Sequence, residues 1–165
     1  MAEALGPELD LTFTLNGAQV RVDATTATTL ADVLRDALGL NGTKVACARA
    51  VCGACTVLID GRPAASCATL AFEARGSDVR TIEGLAADGE LNDVQAAFAD
   101  RSAFQCGYCT AGMIMTTEAL LAHDPEPSRE TINDWLGANI CRCTGYTLIV
   151  EAVEAAAKTR REKSP

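Results

Sequence analysis

Eight cysteines and a single histidine, His123, carry most of the reactive chemistry available to this 165-residue chain. The thiols form two groups of four, Cys47, Cys52, Cys55 and Cys67, then Cys106, Cys109, Cys141 and Cys143. The first group reads C-x4-C-x2-C, with eleven residues between Cys55 and Cys67. That is the plant-type [2Fe–2S] spacing, in which one loop supplies three thiolates and a later element the fourth. Gly53, between Cys52 and Cys55, lets the backbone approach the site closely. Structural zinc sites usually pair two short C-x2–4-C knuckles, and this tetrad has only one, which favours iron–sulfur over zinc. The second group is Cys106-Gly107-Tyr108-Cys109 and, after 31 intervening residues, Cys141-Arg142-Cys143. Residues two apart point in different directions on a helix, so Asn139 to Thr144 is expected to be a tight turn between two helices. Helices starting just after Cys109 and Cys143 would aim their positive ends at the thiolates. By itself this second spacing names no cluster type.

The elements that must position these thiols divide the chain in two. Leu11 to Leu15 and Gln19 to Val22 alternate apolar and polar residues around Asn16-Gly17, which specifies a hairpin. Thr28 or Thr29 can cap a short helix with Leu30, Val33, Leu34, Ala37 and Leu38 at helical spacing and Gly39 as its stop. Thr56 to Ile59 and the segment around Ala64 flank Asp60-Gly61, a second hairpin signal, and Val79 to Ile82 can add a strand. One helix on a small mixed sheet is an α+β arrangement. Beyond about Gly84 the pattern is helical: Leu91 to Arg101, Gly112 to Ala122, a segment capped by Ser128 and running to Leu136, and Thr147 to Lys163. A linker is expected near residues 78 to 88.

Composition bounds the function classes. Lys and Arg number 14 against 22 Asp and Glu, for a formal net charge of −8. That balance excludes a phosphate-backbone binder, and no nucleic-acid partner is expected. Hydrophobic residues make up 48 % of the chain, enough for a core of its own without a disulfide scaffold. No apolar stretch reaches membrane-spanning length and no export signal opens the chain, so no membrane span and a cytoplasmic location are expected. A G-x-G-x-x-G loop, a Walker loop and a nucleophile–base constellation are all missing from the sequence. Two one-electron sites without a substrate pocket make a wire, which needs a donor and an acceptor on other chains.

Several segments carry a more specific likeness. Gly42-Thr43-Lys44, Cys52-Gly53-Ala54-Cys55-Thr56-Val57, Thr81-Ile82-Glu83-Gly84-Leu85, Gln105-Cys106-Gly107-Tyr108-Cys109-Thr110, Gly112-Met113-Ile114-Met115 and Cys141-Arg142-Cys143-Thr144-Gly145-Tyr146 resemble the iron–sulfur subunit of the xanthine dehydrogenase and aldehyde oxidase family, the molybdenum hydroxylases. The match runs from about residue 10 to 158 and includes all eight cysteines in order. The resemblance implies a flexible stretch over residues 1–9, a β-grasp, ferredoxin-like [2Fe–2S] domain over 10–83, and a four-helix-bundle domain over 84–165 with a second [2Fe–2S] cluster. It implies molybdopterin, in its cytosine dinucleotide form, on a large partner subunit, and FAD on a medium subunit or another acceptor in its place. At the matching positions, Gln105 and the sulfur of Cys143 would hydrogen-bond the pterin. Substrates of the whole complex would be N-heterocycles, aldehydes or similar carbon centres. Two departures stand out: Ala46 and Ala50 where many relatives have Gly, and Ala111 where many have Pro.

A free-standing two-cluster ferredoxin and a zinc-stapled interaction module are the competing readings. Among smaller features, His123 is expected at a helix end as a cap or surface residue, and Tyr108 is expected to be buried against the cluster loop or the partner rather than to act as a redox relay. Arg142 is expected either to offset thiolate charge or to bridge to a partner. The basic end around Arg160 and Arg161 reads as a dipole and solubility feature, and Met113 and Met115 as core.

Overall fold

A computed structural model describes residues 6–86 and 88–163. Strands β1 (Glu8–Leu15) and β2 (Ala18–Thr25) form the first hairpin, with Leu15 opposite Ala18 across Asn16-Gly17. Both turn residues have positive φ, 51° and 84°, as a type I′ turn requires. Alternation along β1 buries Leu11, Phe13 and Leu15 on one face. That face meets Leu30, Val33 and Leu34 of a short helix, α1 (Leu30–Asp32), which continues as a π-helical turn over Val33–Ala37. Thr29 caps α1 reciprocally, accepting from the Asp32 N–H while the Asp32 carboxylate accepts from the Thr29 N–H. Gly39, at φ 71°, stands just past its end.

Strands β3 (Thr56–Ile59), β4 (Arg62–Ala65) and β5 (Asp78–Arg80) complete a sheet of order β2-β1-β5-β3-β4. Among these pairs only β1–β5 is parallel, so the sheet is mixed, in keeping with the α+β arrangement expected. The expected stretch 1–9 falls partly outside the described residues, and β1 already begins at Glu8.

Helices α2 (Asp93–Asp100), α3 (Thr110–His123), α4 (Arg129–Leu136) and α5 (Thr147–Lys163) follow in the order expected. Asn92 and Ser128 cap α2 and α4. Met113 and Met115 are buried in the helical core, which also takes in Leu58 of β3. The sheet and the helices therefore share one continuous apolar contact. The stretch read as a linker is pinned. Thr81 donates its N–H to Asn16 Oδ1 (2.8 Å), its hydroxyl accepts from Asn16 Nδ2 (3.0 Å), and Glu83 accepts from the Gly42 N–H (2.7 Å).

The basic end of α5 does more than complement a dipole. Arg160 lies against Asp93 of α2 (Nε to Oδ2 2.6 Å, Nη2 to Oδ1 2.7 Å) and against Glu118 of α3 (3.0 Å), with all three side chains largely buried. The guanidinium holds the Asp93 carboxyl below its ordinary range. A carboxyl depressed on folding adds stability above its unfolded pKa and loses it as pH falls through the folded value. Arg160→Leu is therefore expected to lower stability by about 2–3 kcal/mol at neutral pH, less than a fully buried pair would because the guanidinium keeps some solvent. In urea melts the deficit should shrink as pH drops below about 4. A deficit independent of pH would exclude the ion pair as its cause.

Candidate metal centres

The first thiol loop leaves α1 under tight control. The Arg35 guanidinium donates to the Thr43 carbonyl (2.7 Å) and Lys44 Nζ to the Asn41 carbonyl (2.6 Å). Ala48, Ala50 and Gly53 then take positive φ values of 51°, 57° and 70°. These left-handed residues coil the backbone so that amides face the thiols: Val51 N–H lies 3.4 Å from Cys47 Sγ, and Ala50 N–H 3.4 Å from Cys67 Sγ. Cys67 follows β4, and the Ser66 hydroxyl ties it to the loop by donating to the Cys55 carbonyl (2.7 Å). Cys47 and Cys52 are neighbours close enough for one thiol to perturb the other, and so are Cys55 and Cys67. Amides from Val51, Arg49 and Cys52 pull the Cys47 thiol down to about 6, whereas burial pushes Cys55 up to about 11. One edge of the loop is thus built to receive negative charge and the other lies in the apolar interior.

At Ala50, where the resemblance implies Gly, the backbone is left-handed. Its left-handed conformation suits glycine, and an L-alanine there costs about 1–2 kcal/mol. Ala50→Gly is expected to raise stability in urea by about 0.5–1 kcal/mol after the entropy cost of glycine, with the bond to Cys67 intact. A loss of stability would instead mean that the methyl packs usefully in the loop. Ala46 has no such strain; it lines the cavity of the second thiol group.

That second group assembles from two helix approaches. Cys109 is the N-cap of α3, and Cys141 and Cys143 sit in the expected turn before α5. Cys109 pairs with Cys141 and Cys106 with Cys143. Burial pushes Cys109 up to about 12. Burial also pushes Cys141 upward, but the Thr144 hydroxyl (3.1 Å) and N–H (3.3 Å) donate to its sulfur and hold it below the usual thiol value. All four thiols line a cavity of about 240 Å³, together with Ala46, Cys52, Tyr108, Ile140 and Arg142. Cys106, Cys143 and the adjacent Gln105 are exposed, so this edge opens to the surface.

Each tetrad thus presents two pairs of thiols. A single tetrahedral zinc needs four sulfurs converging at about 2.3 Å from one point. Among the described residues, no group of three or more His, Cys, Asp or Glu side chains converges on one ion position. Two pairs per site, with amides donating to the sulfurs, are instead the donor set of a two-iron cluster, whose irons each take two thiolates.

The loops of the two groups touch. Ile140 N–H donates to the Cys52 carbonyl (2.9 Å), and the buried Asn139 donates through Nδ2 to the Gly53 carbonyl (2.9 Å). The Tyr108 hydroxyl donates to the Val45 carbonyl (2.7 Å) from a ring that is 46 % exposed. Within this chain only the hydroxyl of Tyr108 reaches the loop, and the rest of the ring stays on the surface. His123 lies at the end of α3, stacked on Trp135 at 5.9 Å. Asn139, Thr144 and Tyr146 carry roles that the sequence alone did not reveal; their place beside Cys141 and Cys143 was the available signal.

The 2Fe-2S iron-sulfur cluster binding domain family matches residues 13–86, and the [2Fe-2S] binding domain family matches residues 81–154. The chain is 45 % identical to the nicotine 6-hydroxylase small subunit of Paenarthrobacter nicotinovorans, over 88 % of this chain and 87 % of that one. It is 41 % identical to the nicotinate dehydrogenase small FeS subunit of Eubacterium barkeri, over 90 % and 95 %. The chain belongs to the iron–sulfur subunits of the molybdenum hydroxylase family. A solved structure agrees: a chain of quinoline 2-oxidoreductase from Pseudomonas putida 86 superposes with a TM-score of 0.91 at 42 % identity, over 96 % of this iron–sulfur subunit and 99 % of that chain. The α+β architecture and the two cluster-binding regions of this iron–sulfur subunit are thus those of its family.

Proposed function

We propose that this iron–sulfur subunit carries single electrons from a molybdopterin centre on a large partner subunit to FAD on a medium subunit, or to another acceptor, while the complex oxidises an N-heterocycle, an aldehyde or a comparable carbon centre. Cys47 with Cys52, and Cys55 with Cys67, would hold the two irons of one cluster; Cys106 with Cys143, and Cys109 with Cys141, would hold those of the other. Each such cluster, when bound, accepts and releases one electron. Around them the chain's own groups act as a fixed scaffold. Amides of Ala50, Val51 and Thr144 donate to ligand sulfurs, which favours the more negative, reduced state. The apolar neighbours of Cys55 keep water from one side of the first site.

Residues 10–83 and 84–165 are read as the two domains, the second as a four-helix bundle. Gln105 and Cys143, at the exposed edge of the second tetrad, are read as the contacts to the pterin. Among the described residues no helix is long and apolar enough to cross a membrane. Eight free thiols suit a reducing compartment, in keeping with a cytoplasmic location. Exposure of Phe104, Tyr108, Ile140 and Leu148 around the second tetrad favours a chain covered by a partner over a free-standing ferredoxin.

The observation that carries the proposal is the direct contact between the thiol loops, Ile140 N–H to the Cys52 carbonyl, because a relay needs its two stations adjacent. Purification of the native complex tests it. Co-elution with a molybdenum-bearing large chain, and about two irons and two labile sulfides per tetrad, are expected. Colourless, zinc-loaded protein, or a monomer that never associates, would overturn it.

A further inference from the structure

We propose that Asn139 is the positioning residue that keeps the two thiol tetrads in electronic contact, by holding the carbonyl edge of the first loop against the turn that carries Cys141. The inference rests on the proposed relay function and adds to it a residue that is neither a thiol nor in contact with the cluster cavity.

Asn139 is 1 % exposed, and its side-chain amide is used at both ends. Oδ1 accepts from the Thr116 hydroxyl of α3 (2.7 Å), and Nδ2 donates to the Gly53 carbonyl (2.9 Å). The orientation of the amide is dictated by its partners, since a backbone carbonyl can only accept and so must face the NH2. The Asn139 carbonyl accepts from the Tyr146 hydroxyl (3.0 Å), whose oxygen in turn accepts from the Cys141 N–H (2.7 Å). The next residue, Ile140, donates its N–H to the Cys52 carbonyl. Two consecutive residues therefore grip two consecutive carbonyls of the first loop, Cys52 and Gly53, immediately before Cys141.

This grip closes a short bonded route. It runs from Cys52 Sγ through the residue's own carbonyl, across one hydrogen bond to Ile140 N–H, and along the backbone to Cys141 and its Sγ. Electron transfer along it moves one electron from one site to the other, with no bond broken and no proton transferred. A further hydrogen bond between the loops, from Tyr108 to Val45, lands two residues before Cys47 and hangs on an exposed ring. The Ile140 bond joins the backbones of the thiol-bearing segments directly, and Ile140 as a residue is 51 % exposed. Hydrogen bonds in exposed segments open readily, and a buried amide anchored at both ends next door is what keeps this one shut. The second cavity is lined by Ile140 and Cys141 but not by Asn139, so Asn139 acts through position.

The test uses the assembled holoenzyme. Asn139→Asp keeps the shape but sets a carboxylate oxygen against the Gly53 carbonyl in place of the donor. Thr116→Val removes the hydroxyl that orients Asn139, and Thr116→Ser restores it. Three quantities are read: iron and both clusters' EPR signals, hydrogen exchange at the Ile140 amide, and the rate of electron equilibration between the clusters after a reducing pulse. Expected for N139D are full iron, both EPR signals, Ile140 exchange faster by about tenfold or more, and intercluster transfer slower by about tenfold. T116V should shift both rates in the same direction by less, and T116S should match the wild type. If N139D does not fold, the T116V and T116S pair carries the same comparison. An unchanged transfer rate with both clusters present, or loss of iron from either tetrad, would overturn the role of Asn139. A wild-type complex lacking two EPR signals would overturn the relay reading instead.

Discussion

Gly112→Ala is expected to destabilise the protein by about 3 kcal/mol and to loosen the first thiol loop, although the same change in an exposed helix would stabilise by about 1 kcal/mol. A Cβ at Gly112 of α3 would fall less than 3.0 Å from the Gly53 carbonyl oxygen, 3.1 Å from its carbon and 3.2 Å from Ala54 Cα. All three are backbone atoms, so no side chain can swing aside, and helix and loop must separate. Separation also weakens the bond from Asn139 to that same carbonyl, worth about 1 kcal/mol. Urea melts of the cluster-loaded protein, with iron counts across the transition, measure the effect. A neutral or stabilising Gly112→Ala would show that α3 and the loop do not meet as described.

Cys143→Ser carries the second large effect, and it is selective. Cys143 is exposed and contributes little to the core, so the fold should survive the change. A serine oxygen is a poor ligand for iron, and replacing a ligand should exceed the roughly ten- to hundredfold loss of affinity or activity seen when only a ligand's hydrogen-bonding neighbours are changed. About half of the iron should be lost or loosely held, the first tetrad should keep its spectroscopic signals, and reoxidation of molybdenum in the complex should slow most of all. Equal loss of both signals would contradict two separately assembled sites.

Features that depend on a few neighbouring residues were legible without the structure. Asn16-Gly17 and Asp60-Gly61 set their hairpins because only such residues take positive φ cheaply, and Thr29, Ser128 and Gly39 mark helix ends through bonds or conformations within a few residues. The C-x4-C-x2-C loop is likewise a local statement about three thiols on one turn. How far the Tyr108 ring is covered depends on what lies across from it, which spacing does not encode.

The cysteine order, the hairpin turns and the helix caps were written into the chain itself, because each is fixed by geometry within about a dozen residues. Only the folded molecule decided which thiols pair, that Arg160 clamps α2 and α3 through Asp93 and Glu118, and that Gly112 and Asn139 bring one tetrad against the other. Those contacts join residues far apart along the chain. They exist only once apolar faces from both halves, Leu58 among them, have excluded water together and left a close-packed seam whose shape no single segment specifies.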